Sequence, residues 1–576
     1  MKKFTSITTL IWLALLLVLP SSGLAYNQIS PATAKQMISS NPGVVTVDVR
    51  SNTDYCYYGH IPCALNMAWE DEFSENYTKL PTDKAVITVC QHGIRGAAAA
   101  RFLDEHGYTM VYNISGGMTA WQQDGFSVIT CEDENPDDCL NLPYRLYFPH
   151  IASGTGSGWE TEIAIINRSR ESDLTGKLQA FDKDGNKSGA ALDLNLPPAG
   201  RRQLTVGSDF QYPKETAYII LYADSEQCSG YLKFFDAPDG RYRAAIPAIA
   251  NPNQHDISLA HIATVDGWWT GLALLNTSTS EHDLTFTFNT GLERTVKLPA
   301  GAYKALNLAE LIAPARAGTP IDSALISNAD GVIGLEIFGN GNQLSGVSLK
   351  DAASKTLYIP HIAEDQQWWT GMVVYNPGQN PGELTVKPYA ADGTPLQISL
   401  PTIMAADTRG IYPPAAAATP FTVGSGQQFI GTGDRFGLPQ ETAWMSIEAS
   451  VPVTGLELFG TVDGNQLAGY LVVNIDGDSG ILAKLEDNGW TGIALVNIGD
   501  DPISVTLEAF ADTGGEPVAR SITHLKSHEK LIDIPENLFT EDLQNATYIV
   551  YRGTGPVVAF QLNSNGTTML DALPGR

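Results

Sequence analysis

The stretch VCQHGIRGAAAARF, Val89–Phe102, decides how the N-terminal region folds. It follows the apolar run AVIT (Ala85–Thr88), whose β-branched residues mark a strand. One cysteine, Cys90, closes that strand. Gly93 then allows a sharp turn, and the alanine-rich run from Gly96 to His106 reads as a helix. Strand, tight loop and helix make the crossover unit of a parallel sheet, and such sheets hold their reactive groups at the carboxyl ends of strands. A thiol placed there faces the positive end of a helix, which favours the nucleophilic thiolate.

The neighbouring sequence repeats this alternation. Ser30 caps a helix that begins at Pro31 and runs to Ser39. VVTVDV (Val44–Val49) and MVYNI (Met110–Ile114) are further strands, and GGMTAWQQDG (Gly116–Gly125) is a further helix. Residues 26–128 therefore form an α/β domain, a parallel sheet flanked by helices.

Ahead of it, Lys2 and Lys3 precede an apolar run from Leu10 to Leu19 and small residues ending at Ala25. That is the pattern of a cleaved export signal over residues 1–25. The run is too short to cross a membrane comfortably, and no later stretch supplies the roughly 20 apolar residues that a spanning helix needs. The expected location is the periplasm or the exterior of a bacterium. The chain has 576 residues, 43% hydrophobic and 17% charged, with a net charge of −28. Such an acidic balance argues against nucleic acid and anionic membranes as partners.

Export into an oxidising compartment makes the cysteines at 56, 63, 90, 131, 139 and 228 candidates for pairing. Closeness in sequence favours Cys56–Cys63 and Cys131–Cys139, leaving Cys90 and Cys228 as thiols; the sequence alone does not choose among the connectivities. No CxxC occurs and the histidines show no ligand spacing, so neither a metal nor a cofactor is expected.

CEDENPDDC (Cys131–Cys139) lies in an acidic linker over 129–143. From Tyr144 onward, short β-branched strands alternate with Gly, Asn, Asp and Pro turns. Four related segments recur: FPHIASGTGSGWETEIAIIN (Phe148–Asn167), LAHIATVDGWWTGLALLN (Leu259–Asn276), IPHIAEDQQWWTGMVVYN (Ile359–Asn376) and LAKLEDNGWTGIALVN (Leu482–Asn497). Shorter echoes accompany them: the turns FDKDG (Phe181–Gly185), YAADG (Tyr389–Gly393) and FADTGG (Phe510–Gly515), and LPPAG (Leu196–Gly200) with LPAG (Leu298–Gly301). A period near one hundred residues fits four successive β-sandwiches over 144–250, 251–352, 353–476 and 477–576, read as a string of separate domains. Trp159, Trp269, Trp369 and Trp490 are expected to plug the sandwich cores, the alternative being exposed rings that stack on sugars. Asn167, Asn276, Asn376 and Asn497 are expected to close turns. A protein or carbohydrate ligand is open for these repeats.

TVDVRSNTDYCYYGHIPCALNM (Thr46–Met67), VCQHGIRGAAAARFLDEHGY (Val89–Tyr108) and VYNISGGMTAW (Val111–Trp121) together resemble the three signature blocks of the single-domain rhodaneses. The resemblance covers about a hundred residues. It implies a sulfurtransferase in which Cys90 carries a sulfane sulfur as a persulfide. The sulfur would come from thiosulfate or another persulfide and pass to a thiol or other thiophilic acceptor. Gln91, His92, Gly93, Ile94, Arg95 and Gly96 would form the cradle. Asp48 and His60 match family positions in supporting roles, and Arg50 is a candidate for substrate contact. Four residues separate Cys90 from Arg95, one fewer than in the related phosphatases and arsenate reductases, which favours sulfur over a tetrahedral oxyanion. Three positions depart from the family: Gly96 replaces Ser or Thr, Gln91 and His92 stand where many members carry a cation, and Cys63 replaces a glycine. The alternative to an enzyme is an exported binding or adhesion protein with a catalytically silent rhodanese domain.

Overall fold

The computed structural model describes residues 26–40, 44–131, 142–153, 158–237, 240–264, 267–313, 320–398, 421–472 and 477–575. The export signal expected over 1–25, Cys139 and most of the acidic linker lie outside the described residues. The chain divides into two units at Pro143/Tyr144.

The N-terminal unit is a five-stranded parallel sheet. Its strands are β1 (Asn27–Ile29), β2 (Val45–Asp48), β3 (Leu65–Asn66), β4 (Val86–Val89) and β5 (Val111–Ile114), in the order β1-β5-β4-β2-β3. All four residues of β4 are buried, as expected of a central strand covered on both faces. On one face, Ala99, Ala100 and Leu103 of helix α4 (Ile94–Glu105) pack with Val47, Val86, Leu80 and Phe73 of the short helix α3 (Phe73–Asn76). On the other, Ala34 of α1 (Pro31–Ser40), Tyr55 of α2 (Asn52–Tyr57) and Met118 and Trp121 of α5 (Gly117–Gln123) cover Ile87 and Val89. Helix α4 begins two residues earlier than its alanine run, because Gly93 adopts φ +85° and caps it.

The second unit contains the four sandwiches, each built from eight strand segments in two antiparallel layers. Alternation of buried and half-buried residues along Ile503–Phe510 is typical of their strands. In the third repeat one long strand, Trp444–Thr461, serves both layers. The recurrent asparagines are fully buried latches. Asn167 Nδ2 donates to the carbonyls of Ser172, Leu196 and Pro197 while its Oδ1 accepts from Ser169 N–H. Asn276 and Asn497 make matching sets, and Asn376 bonds Asn380 and Gly378 likewise.

The repeats are not beads on a string, and that expectation is corrected here. Their last strands, Arg243–Pro247, Leu344–Ser348, Leu467–Val472 and Leu570–Pro574, touch in a closed cycle, first to second to third to fourth to first. Hydrogen bonds follow the same circuit. Tyr242 Oη donates to Gly341 O, Gln343 Nε2 to Gln466 O, Gln466 Nε2 to Ser564 Oγ, and Thr568 Oγ1 to Gly240 O. The echoed turns interlock too: Tyr303 N–H bonds Lys183 O, Lys530 N–H bonds Ala391 O, and Gly515 N–H bonds Pro198 O. Hydrophobic clusters cross these junctions; Leu335, Ile337 and Leu344 of the second repeat join the core of the first. Each sandwich exposes an apolar inner face that only its neighbours cover, so four close a ring that one could not.

Candidate active site

Cys90 stands at the carboxyl end of the central strand β4, buried against Val49, Phe73, Ala99 and Leu103, and is in no disulfide. The loop after it has its carbonyls drawn outward. Met118 N–H bonds Cys90 O at 2.8 Å, Thr119 N–H bonds Gln91 O at 3.0 Å, and Asn113 Nδ2 bonds Gly93 O at 3.2 Å. The N-terminus of α5 thus holds the loop from one side while α4 leaves from the other. Among the described residues the N–H groups of Gln91 to Gly96 donate to no protein group, which is the arrangement that receives an anion. Gly117 is required here: a Cβ on it would run into Cys90 O.

Each residue expected at the site is in the head, but not all line it. Gln91 is fixed from both ends, accepting from Arg50 Nη1 at 3.1 Å and donating to Thr119 Oγ1 at 3.1 Å. His92 is exposed, with Nδ1 3.1 Å from the same hydroxyl, and Ile94 is 79% exposed at the rim. Arg95 is half-buried and makes no hydrogen bond or ion pair among the described residues, so its charge is uncommitted. Arg50, by contrast, is 1% exposed and fully engaged. Nε and Nη2 grip Asp48 at 3.0 and 2.7 Å, and Nη2 also reaches Gly59 O at 2.8 Å. Arg50 and Asp48 thus form a buried strut that sets Gln91. His60 is also structural, stacked on Tyr55 with ring centroids 3.5 Å apart and donating Nδ1–H to Tyr55 O.

The expected cysteine pairing is overturned. Cys56 bonds Cys131 across 75 residues, which excludes both Cys56–Cys63 and Cys131–Cys139. The reason is topological: the backbone bridge between His60 and Ile129 brings the end of the domain back beside α2. Cys63, the expected partner of Cys56, is exposed at φ +66° and is in no disulfide. Cys228 is buried in the first sandwich, where desolvation pushes its thiol up to about 11.

Three residues of this site escaped the sequence reading: Thr119, Asn113 and Gln28. Asn113, buried on β5, donates to Gln28 Oε1 and presents Oδ1 to the bare face of Gly96. Polar residues at such positions are visible only when β5 is known to lie beside β4. A groove of about 560 Å³ runs beside the loop between His92, Ile94, Arg101 and Asn113, but Cys90 is not among its walls. Among the described residues no group of three or more His, Cys, Asp or Glu side chains is placed to share a metal, and no helix is long and apolar enough to cross a membrane.

The rhodanese-like domain family matches residues 30–124. The putative sulfurtransferase YtwF of Bacillus subtilis is 33% identical over 95 residues, covering 16% of this chain and 89% of that protein. The chain belongs to the rhodanese family. Thiosulfate sulfurtransferase GlpE of Actinobacillus pleuropneumoniae serotype 3 is 29% identical over 105 residues, 18% of this chain and 94% of that one. A solved rhodanese-related protein from Thermoplasma volcanium is 28% identical, covering 18% of this chain and 98% of that one, with a TM-score of 0.17. The rhodanese head of this chain is thus a sulfurtransferase domain by its homologues, followed by a large all-β region.

Proposed function

We propose that this protein is an exported sulfurtransferase that carries sulfane sulfur on Cys90 and uses its β-ring as a spacer or binding platform. The observation that carries the reading is the loop itself, whose carbonyls are bonded to neighbouring groups, whose N–H groups donate to no protein group among the described residues, and which follows one buried thiol. The Cys90 thiolate attacks the outer sulfur of a donor such as thiosulfate. The donor's S–S bond breaks, and its electron pair leaves with sulfite. The persulfide anion then rests among the N–H groups of Gln91–Gly96 and the α4 terminus, with Arg95 as the nearby free cation. A thiol or cyanide acceptor attacks the terminal sulfur, and the Cys90 thiolate departs with the bonding electrons. The apolar floor of Val49, Phe73 and Leu103 suits soft sulfur better than a hydrated oxyanion.

Gln91 and His92 supply no cation, which favours a persulfide over thiosulfate as the native donor. The Cys56–Cys131 bridge supports an oxidising compartment, as does the leader-like sequence. The reading is tested by initial rates of sulfur transfer to cyanide. Arg95→Ala should lose roughly 10–100-fold in turnover, the usual effect of removing an anion-stabilising group. Unchanged turnover would remove Arg95, and with it this electrostatic account.

A further inference from the structure

Three of the four recurrent tryptophans, Trp269, Trp369 and Trp490, rest against glycine, while Trp159 and Trp490 pack against the hydrophobic clusters of the sandwiches. A Cβ on Gly271 would sit 3.2 Å from Trp269 Cζ3, and one on Gly339 would sit 2.5 Å from Cζ2. Trp369 rests on Gly371 and Gly460 in the same way, and Trp490 on Gly492. Each of these three indoles is therefore held against bare backbone. Trp269 is 37% exposed and forms one wall of a groove of about 400 Å³ where the first and second repeats meet.

The rest of that groove is polar at its rim. His150 comes from the first repeat; Tyr303, Asn307 and Glu310 come from the second. Tyr303 Oη lies 2.8 Å from His150 Nδ1. Desolvation favours the neutral imidazole by lowering its pKa to about 4, and a neutral ring offers one donor and one acceptor nitrogen. Asn307 Oδ1 is taken by Ala309 N–H at 3.0 Å, so its amide NH₂ remains a donor. Glu310 is exposed and makes no bond among the described residues, so it remains an acceptor. A donor amide, an acceptor carboxylate and an imidazole thus share the groove with an aromatic ring.

We propose that this groove binds a pyranose unit of a neutral glycan, its C–H face on Trp269 and its hydroxyls on Asn307, Glu310 and His150. Vicinal hydroxyls each donate and accept, which matches a rim that offers both a donor and an acceptor. A proline-rich peptide would stack on the same ring but brings mainly carbonyl acceptors, and leaves Glu310 without a donor. The chain's net charge of −28 and the free Glu310 carboxylate disfavour acidic sugars. The matching groove between the third and fourth repeats contains His361 and Trp490, but Phe560, Leu562 and Ile532 replace the polar rim. It provides an internal control.

The test is calorimetric titration of the full chain with cellotriose, maltotriose, mannotriose and triacetylchitotriose, with decaproline in a separate arm. Saturable binding of at least one saccharide is expected, weakened about tenfold or more in Trp269→Ala, as loss of one aromatic platform would give. The same binding should be unchanged in Trp490→Ala. Asn307→Asp with Glu310→Ala, which keeps the cap on Ala309 N–H but removes the amide donor and the free carboxylate, should weaken it as well. Absence of binding by all four saccharides, binding indifferent to Trp269 and to the Asn307/Glu310 pair, loss on Trp490→Ala instead, or Trp269-dependent binding of decaproline alone would each overturn the proposal.

Discussion

Gly96→Ala is the change that most sharply probes how the Cys90 loop is held. A Cβ at this position would fall on Asn113 Oδ1, inside the 3.0 Å that real Cβ atoms respect, and 3.4 Å from Asn113 Cγ. Asn113 cannot simply retreat, because its amide donates to Gln28 Oε1 at 2.9 Å and Gly93 O at 3.2 Å. Overpacking a buried contact costs roughly 1–3 kcal/mol. If the strain is relieved by releasing the Gly93 carbonyl, the loop opens, and transfer falls about 5- to 100-fold by the same arithmetic. Asn113→Ala alone loses two hydrogen bonds, for roughly 1–2 kcal/mol. The double variant removes the clash and the bonds together. It should therefore recover part of the activity lost in Gly96→Ala, with a coupling of about 1 kcal/mol or more, as contacting residues show. Initial rates with thiosulfate and cyanide, with thermal unfolding of each variant, complete the cycle. Wild-type rate and stability in Gly96→Ala, or strict additivity in the double variant, would refute the proposed coupling.

Peptide mapping of unreduced protein should find Cys56 joined to Cys131, and Cys56→Ser should cost the head about 2–4 kcal/mol; recovery of a Cys56–Cys63 peptide would contradict the structure. Glu336 is buried in the ring with Oε1 unpartnered, and desolvation raises its pKa well above the carboxylate range. Its cost is absent below the unfolded pKa near 4.5 and grows as pH rises and the unfolded chain ionises. Glu336→Gln should thus raise the melting temperature at pH 8 more than at pH 5, and an equal or opposite change would remove this term. Deleting residues 477–576 should expose new protease sites in the first sandwich, whose Arg201, Pro198 and Ala199 are held by Asp512, Gly515 and Tyr548; unchanged protection would mean that the ring is not cooperative.

What could be read from the sequence followed what is local. Strand, Cys90, Gly93 and helix lie within fourteen residues, and their chemistry depends on spacing alone, so the site was legible. Arg50 was recognised, but only the fold shows Asp48, Gly59 and Gln91 converging on it. The disulfide was misread for the same reason: seven residues of separation say less than the bridge that brings Ile129 to His60. The turns FDKDG and LPAG looked complete in isolation. Their second role, one seated on the next around a ring, depends on closure of the fourth repeat against the first, which no single repeat encodes. Trp269 looked like a core residue since apolar positions follow it, but Gly271 and Gly339 lie on neighbouring strands and only pairing brings both against its ring.

The account's central claim is that Cys90 carries the sulfur. Mass analysis of the intact protein after thiosulfate treatment, followed by peptide mapping without reduction, tests it most directly. One added sulfur of about 32 Da, mapped to Cys90, absent in Cys90→Ser and discharged by cyanide, is the predicted result. Discharge by cyanide with the added mass on Cys63, or no added mass on a folded protein, would contradict it.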